Sequence, residues 1–440
     1  MPNRLAVSMP SRRDVLRGIA VGSLVGLAGC TDETVSGEWP RAGYDRRNTG
    51  DVTDRDGPGR SLTTAWTASV PDGYNRQTPV VVDGRVYVGT AADGVGGDGR
   101  VGFSVFDAAD GDRLRDVTVT TGPTDGGSNW LLVDSLVVAD GAAYLVAHDG
   151  VHSYTLDGEE RWHRPVDGQP QSTVHDAGHP VVVGDTVFAP TASTTEDTPA
   201  PEGLLAIDHA TGELQWRYEV PQADRFGWTY SVAYAEGTVY LSMMEVGVVA
   251  LAADSGEAEW LTELPAEGPP TVADGRVYVP SEEDDSDGDE AAIQDLDADT
   301  GDLVWSRSGA GDRLGREIAA ADGRIYCRED LRSIVCRDAA TGDERWRHRG
   351  VDTGPDGRPA VTDEAVYAGA DYGAENDNGA DGIVALDPST GERVDGVAIE
   401  GSSGYKARIA ATDGRLFVGS RGRVHAVEAC TVDAFGRCLH

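Results

Sequence analysis

Apolar and polar residues alternate along most of this chain in short runs closed by turns, the period-two signature of half-buried β-strands. Two phrases recur. The first is an apolar strand, an Asp-Gly turn and a strand carrying an aromatic: VVVDGRVYV through Val88, TVADGRVYV through Val279 and AAADGRIYC through Cys327. Asp-Gly between alternating apolar residues is a strong hairpin signal, because φ > 0 is cheap at both positions. The second phrase is an apolar strand, a Thr-Gly or Ser-Gly turn and a polar strand closing on tryptophan. It reads GLLAIDHATGELQW at Trp216, GVVALAADSGEAEW at Trp260, AIQDLDADTGDLVW at Trp305 and SIVCRDAATGDERW at Trp346. Weaker copies run from Phe103 to Arg115, His152 to Trp162 and Ile383 to Val394. Helical periodicity is absent beyond the N-terminal segment.

Joined, the two phrases make a four-stranded antiparallel unit. The strand aromatics Tyr87, Tyr144, Phe188, Tyr240, Tyr278, Tyr326, Tyr367 and Phe417 mark eight units spaced about 38 to 57 residues apart, the range of propeller blades. The eighth unit stops at Glu428 without its tryptophan strand, which stands instead at Leu62 to Val70 with Trp66. Pairing these ends closes a ring and removes free sheet edges. The expectation is an all-β, eight-bladed β-propeller of four-stranded antiparallel blades over 62–430. Residues 1–30 form a signal, 31–61 a tether and approach segment, and 431–440 a tail. Seven blades follow if one weak copy is not a blade.

Charge narrows the partners. The chain carries 37 basic and 75 acidic residues for a net charge of −38, and Lys406 is its single lysine. An Asp-rich, almost Lys-free surface resembles proteins of extreme halophiles, where carboxylates hold water and counterions. Such a field repels nucleic-acid phosphates. The acidic loops Glu282 to Glu290 and Asp371 to Gly382 alternate oxygen ligands with Gly, yet neither completes an EF-hand, so both read as solvated loops and no metal site is assigned.

At the N-terminus Arg12 and Arg13 precede an apolar run from Gly18 to Ala28, shorter than the ~20 residues a membrane span needs. The pair resembles a twin-arginine export signal, and Leu27-Ala28-Gly29-Cys30 resembles a lipobox with Cys30 as the lipid-bearing residue. A lipid-anchored monomer on the outer face of the cell membrane is expected, with a surface or membrane protein as partner. Export permits disulfides: Cys430 with Cys438, and Cys327 with Cys336 across one hairpin, each with buried thiols as the alternative.

The phrase LDxxTGExxW resembles the tryptophan-docking motif of quinoprotein-type β-propellers, from Trp39 to Glu428. The openings Trp39-Pro-Arg-Ala-Gly43 and Asn48-Thr-Gly50 resemble the approach segment of that family. The resemblance implies that Trp66, Trp162, Trp216, Trp260, Trp305 and Trp346 hold the blade junctions, with looser junctions at Arg115 and Val394. It covers two kinds of relative. Pyrroloquinoline-quinone (PQQ) alcohol and sugar dehydrogenases need Ca²⁺ held by carboxylate and amide, an Asp base and often adjacent cysteines. Noncatalytic lipoproteins, such as the propeller subunit of the outer-membrane β-barrel assembly machine, are docking platforms. This chain has no adjacent cysteines, no CxxCH and no assignable calcium set. The second kind is expected, with no cofactor and no catalytic residue; a PQQ- and Ca²⁺-dependent dehydrogenase is the alternative.

Propeller ligands bind where the inner strands begin. Basic and aromatic residues recur there: Arg76, Gln77, Asn129, Trp130, His175 with His179, Trp228 with Tyr230, Arg316, Glu317, Arg358, Tyr405, Lys406 and Arg408. They suggest a cationic funnel for a carboxylate, a phosphate or an acidic peptide. The plainer alternative is that they pair with Asp and Glu across the channel and fill it.

Overall fold

The Asp-Gly turns adopt the backbone their sequence permits: Asp83, Asp140, Asp274 and Asp322 have φ between 49° and 51°. Each reverses a three-residue inner strand into a longer second strand, as in Val80–Val82 to Arg85–Ala92 and Thr271–Ala273 to Arg276–Asp285. The computed structural model describes residues 37–71, 78–92, 98–123, 135–147, 149–166, 178–191, 203–220, 229–244, 246–285, 288–308, 315–329, 332–349, 357–371, 381–399, 407–420, 422–432 and 438–439. The chain divides into two units; Met1–Glu33 lies outside the described residues, with Arg12, Arg13 and Cys30, and Thr34–His440 holds every sheet.

Eight antiparallel blades follow one another. Their inner strands are Val80–Val82 in blade 1, Val137–Ala139 in blade 2, Val181–Val183 in blade 3 and Thr229–Ala235 in blade 4. Thr271–Ala273, Ala319–Ala321, Ala360–Thr362 and Arg408–Thr412 follow in blades 5 to 8. The outer strand of blade 8 comes from the N-terminal side: Leu62–Ser69 pairs with Arg423–Ala429, from Leu62 opposite Ala429 to Ser69 opposite Arg423. Blade 7 departs from the four-stranded plan. Asp51–Val52 adds a parallel strand inside Ala360–Thr362.

The core lies between blades. Tyr278 and Ile293 of blade 5 pack with Ile318, Ala320 and Ile325 of blade 6, and Val86 and Phe106 of blade 1 share a cluster with Phe417 and Val418 of blade 8. The tryptophans bridge these seams. Each indole Nε1 donates to a carbonyl of the next blade: Trp66 to Ala108, Trp162 to His209, Trp216 to Ala253, Trp260 to Ala298, Trp305 to Ala339 and Trp346 to Pro388, at 2.9–3.2 Å. The rings cover the turn glycines Gly111, Gly212, Gly256, Gly301, Gly342 and Gly391, where a Cβ would strike the indole. At Arg115 the aliphatic stem covers Gly158 in place of a ring, and Val394 packs against the cluster shared by blades 7, 8 and 1.

The Cys327–Cys336 bridge that the sequence permits is not formed, and the alternative holds: both are buried free thiols. Register explains it. Cys327 faces Val335 and Cys336 faces Tyr326, so the two cysteines point to opposite faces of the blade. Cys327 enters the seam with blade 5 and Cys336 the seam with blade 7. Burial raises both thiol pKa values, that of Cys336 to about 11. Cys430 is disulfide-bonded, and Val432 pairs with Cys438 in a small hairpin of the tail. The acidic stretch from Glu282 extends the hairpin of blade 5 to Asp285 opposite Gly288.

Candidate functional site

Inner strands present a row of backbone groups to the channel, and buried amides require partners. The segment from Trp39 to Val52 supplies them. The Trp39 and Val81 amides donate to each other's carbonyls at 2.7 and 2.8 Å, and Val138 N–H donates to Pro40 O at 3.0 Å. Tyr234 N–H donates to Arg46 O, Val272 to Arg47 O, Ala320 to Thr49 O and Val361 to Gly50 O, at 2.7–3.0 Å. This strap touches blades 1, 2, 4, 5, 6 and 7 and occupies the axis. Asn48 locks it there, its amide donating to Val232 O at 3.1 Å and Pro270 O at 2.8 Å. Arg41 donates to Asn48 Oδ1 at 2.6 Å and Asp45 O at 2.8 Å.

A cationic cluster forms where the strap meets the starts of the inner strands. Arg41, Arg358, Arg408 and His179 are 3%, 7%, 5% and 8% exposed. Burial first, then Arg358, lowers the Arg41 pKa to about 9, which leaves it cationic at neutral pH. Burial likewise lowers Arg358, against the pull of Glu317 and Asp45. His179 is held well below 6.5 by burial and by Arg41, Arg408 and Arg358, so it is neutral. Glu317 is the carboxylate at this level, lying 3.5 Å from Arg408 Nη1 and accepting from Gly357 N–H at 3.0 Å. Arg41 Nε, Arg358 Nε and His179 Nδ1 are buried with no hydrogen-bond partner. Three guanidinium groups thus share Glu317 and Asp45 as nearby counter-charges. Unsatisfied buried polar atoms are costly and mark a place where an acceptor would be stabilising.

Of the mouth residues expected from the sequence, His179, Glu317, Arg358 and Arg408 are brought together at this level. Arg316 sits further out, 3.9 Å from Glu267. Arg76, Gln77, Asn129, Trp130, His175, Trp228, Tyr405 and Lys406 lie outside the described residues. Arg41 was missed as a site residue. Its signal was a basic residue inside the conspicuous opening after Trp39, but nothing in the alternation placed that opening on the axis.

On the side where the Asp-Gly turns lie, a cavity of ≈ 950 Å³ opens between the strap and the blades and reaches in to Arg41 and Asp45. Arg46 and Arg47 of the strap line it, ringed by Asp83, Asp140, Glu236, Asp274 and Asp299. Of the described mouth residues, Arg316, Glu317, Arg358 and Arg408 do not line this cavity.

A quinone-dependent enzyme would need two things at the mouth. The cationic cluster suits the carboxylates of such a cofactor. A calcium ion would need a carboxylate-and-amide set, and the described candidates are already engaged: Glu317 with Arg408 and Gly357, Asp45 with Arg47 and the Thr49 amide, and Asn48 with Arg41, Val232 and Pro270. The metal half of that cofactor therefore does not fit the described residues.

Both classes appear among the known proteins that this chain resembles. The family model described as outer membrane protein assembly factor BamB matches residues 63–196, 200–315 and 289–394. XoxF of Paracoccus denitrificans, a protein described as a dehydrogenase, is 33% identical over 95 residues, 20% of this chain. That match spans 15% of the relative's length. The quinohemoprotein alcohol dehydrogenase of Comamonas testosteroni has a TM-score of 0.65 at 14% identity, covering 92% of this chain and 82% of the other. BamB of Moraxella catarrhalis has a TM-score of 0.57 at 14% identity, covering 84% and 98%. At such identities the structural likeness speaks for the fold alone.

Proposed function

The chain belongs to the family described as outer membrane protein assembly factor BamB, and from that premise we propose that it is a noncatalytic binding platform. Its channel mouth takes an anionic group, a carboxylate or phosphate carried by a protein partner. The observation behind this reading is the buried cluster of Arg41, Arg358, Arg408 and His179, in which Arg41 Nε, Arg358 Nε and His179 Nδ1 have no hydrogen-bond partner. In a protein of net charge −38 such a cluster concentrates attraction for an anion at one point. We place the platform outside the cytoplasm, tethered by lipid on Cys30, because the Arg12-Arg13 pair and the lipobox stand in the order an exported lipoprotein requires. No helix among the described residues is long and apolar enough to cross a membrane.

Crosslinking on native membranes followed by mass spectrometry tests the platform. Arg316→Glu, at a partly exposed position, should reduce capture of the mouth-bound partner, and Arg358→Gln should reduce it further. Capture unchanged in both variants would refute the mouth as the docking point.

The segment similar to XoxF supports a second reading, a quinone-dependent dehydrogenase. Its test is dye reduction with alcohols and sugars after addition of pyrroloquinoline quinone and Ca²⁺ in high salt. Sustained, quinone-dependent turnover would overturn the noncatalytic reading.

A further inference from the structure

Blade 2 carries a cluster that the channel does not use. Its second strand, Ala142–Ala147, turns into the third, Gly150–Thr155, and the outer strand is Glu160–Pro165. His152 on the third strand stands opposite His163 on the outer strand. The two imidazoles stack 4.1 Å apart with planes 5° from parallel. Both bring Nε2 to Asp149 in the turn: His152 Nε2 is 2.8 Å from Oδ1, and His163 Nε2 is 3.2 Å from the Asp149 carbonyl oxygen and 3.9 Å from Oδ2. One ligand atom from each of the three residues falls within 4.8 Å of the others. Thr120 of blade 1 donates to Asp149 Oδ2 at 2.9 Å and fixes the carboxylate from the neighbouring sheet.

The fold itself does not require these side chains. The same register holds Leu205 opposite Arg217 in blade 3, Val249 opposite Leu261 in blade 4 and Val335 opposite Arg347 in blade 6, but Ser104 opposite Asp116 in blade 1, Gln294 opposite Ser306 in blade 5 and His425 opposite Thr67 in blade 8. Among these pairs, blade 2 sets two imidazoles side by side. A histidine used for packing looks different here: His425 has Thr67 Oγ1 at 2.9 Å from Nδ1 and Ser420 Oγ at 2.8 Å from Nε2. His152, by contrast, has Nδ1 buried without a partner and its other nitrogen turned to the cluster. The turn is drawn in by Gly150, whose missing side chain lets the strand start lie against Arg164 O.

We propose that Asp149, His152 and His163 form a binding site for a borderline divalent transition-metal ion, with Zn²⁺ as the type case. Two imidazole nitrogens and a carboxylate oxygen are a donor set suited to such ions rather than to Ca²⁺ or Mg²⁺. Asp149 and His163 are both about a third exposed on their side chains (33% and 30%), which leaves an approach path and room for a solvent ligand. The unpartnered Nδ1 of His152 lacks the acceptor that usually orients a ligating imidazole. Affinity should accordingly fall about 10–100-fold below that of a fully supported site.

The test uses the full chain in concentrated KCl, with excess Mg²⁺ to occupy surface carboxylates, and Co²⁺ as the probe. One equivalent of Co²⁺ should give visible d–d bands characteristic of nitrogen ligation, and Zn²⁺ should bleach them. His163→Gln, on the partly exposed outer strand, and Asp149→Asn should each weaken binding at least about tenfold. His209→Gln on blade 3 should leave it unchanged, and far-UV circular dichroism verifies that every variant is folded. No Zn²⁺-displaceable Co²⁺ signal, or a signal equally strong in His163→Gln and Asp149→Asn, would reduce the cluster to hydrogen bonding and overturn the proposal.

Discussion

Replacing Trp305 with Ala tests whether the indoles hold the wheel together. Trp305 is 7% exposed, donates from Nε1 to Ala339 O at 3.2 Å, covers Gly342 and lies 6.0 Å from the ring of Tyr278. An indole buries about 150–250 Å², which at about 25 cal/mol/Å² is about 4–6 kcal/mol. That figure is an upper bound, because the unfolded chain already shelters part of the ring. The hydrogen bond adds about 1 kcal/mol and the Tyr278 pairing about 1 kcal/mol more. Alanine retains Cβ and the seam partly relaxes, so the expected loss falls to about 4 kcal/mol, within the span seen for buried Trp→Ala changes. Trp305→Phe keeps most of the area and loses the donor, for about 1.5–2 kcal/mol. Leu303→Ala, two residues away and 55% exposed, should cost no more than about 0.5 kcal/mol. Urea titration in fixed KCl, followed by far-UV circular dichroism, reads all three as midpoint shifts at constant slope. A Trp305→Ala midpoint no lower than that of Leu303→Ala would refute the account of the seams.

Three further outcomes follow from the same structure. Glu329 is 1% exposed and accepts from Arg337 at 2.7 and 2.9 Å and from Arg347 at 2.6 Å; Glu329→Gln should destabilise by about 3 kcal/mol, as read by urea titration, because the buried Arg337 loses its carboxylate while Arg347 keeps Glu344. Gly256→Ala places a Cβ 2.5 Å from Trp216 Cε3 at φ +72°, whereas Gly84→Ala at φ +68° meets nothing within 4 Å. The first should lose about 1–3 kcal/mol more than the second, and equal losses would show that backbone strain alone is being measured. His425 is held at about 4 by burial, with Arg423 adding to the shift. Its folded pKa lies below the unfolded value of about 6.5, so its contribution is complete above pH 6.5 and is lost as pH falls from there through 4. Midpoints measured across that window should decline by up to about 3 kcal/mol more in the wild type than in His425→Gln.

Much of the wheel was legible in the chain. Asp-Gly and Thr-Gly turns act locally, through φ and side-chain size, so the hairpins of blades 1, 2, 5 and 6 could be drawn from sequence. The return of the Trp66 strand to blade 8 could be inferred because the eighth repeat lacked a strand that the approach segment possessed. The site was legible only in part. Arg316, Glu317, Arg358 and Arg408 stood at the strand starts, where a repeat count could find them. Arg41 could not be found that way, since its place depends on the strap crossing the axis. The Cys327–Cys336 pairing failed on a single step of register, which alternation alone does not resolve.

What the sequence determined by itself was periodic: eight units, their turns and the tryptophan at the end of most of them, together with a charge of −38. Those features arise from neighbours in the chain, where local sterics and side-chain alternation are decisive. Tertiary structure alone decided the rest. It laid Trp39 to Val52 along six inner strands, set Arg41 beside Arg358 and His179, and turned His152 and His163 toward one carboxylate. Each of these brings together groups from separate strands or blades, and no local rule carries that distance. Backbone amides left open around a central channel needed partners, and the segment that met that need also fixed where the buried charge gathers.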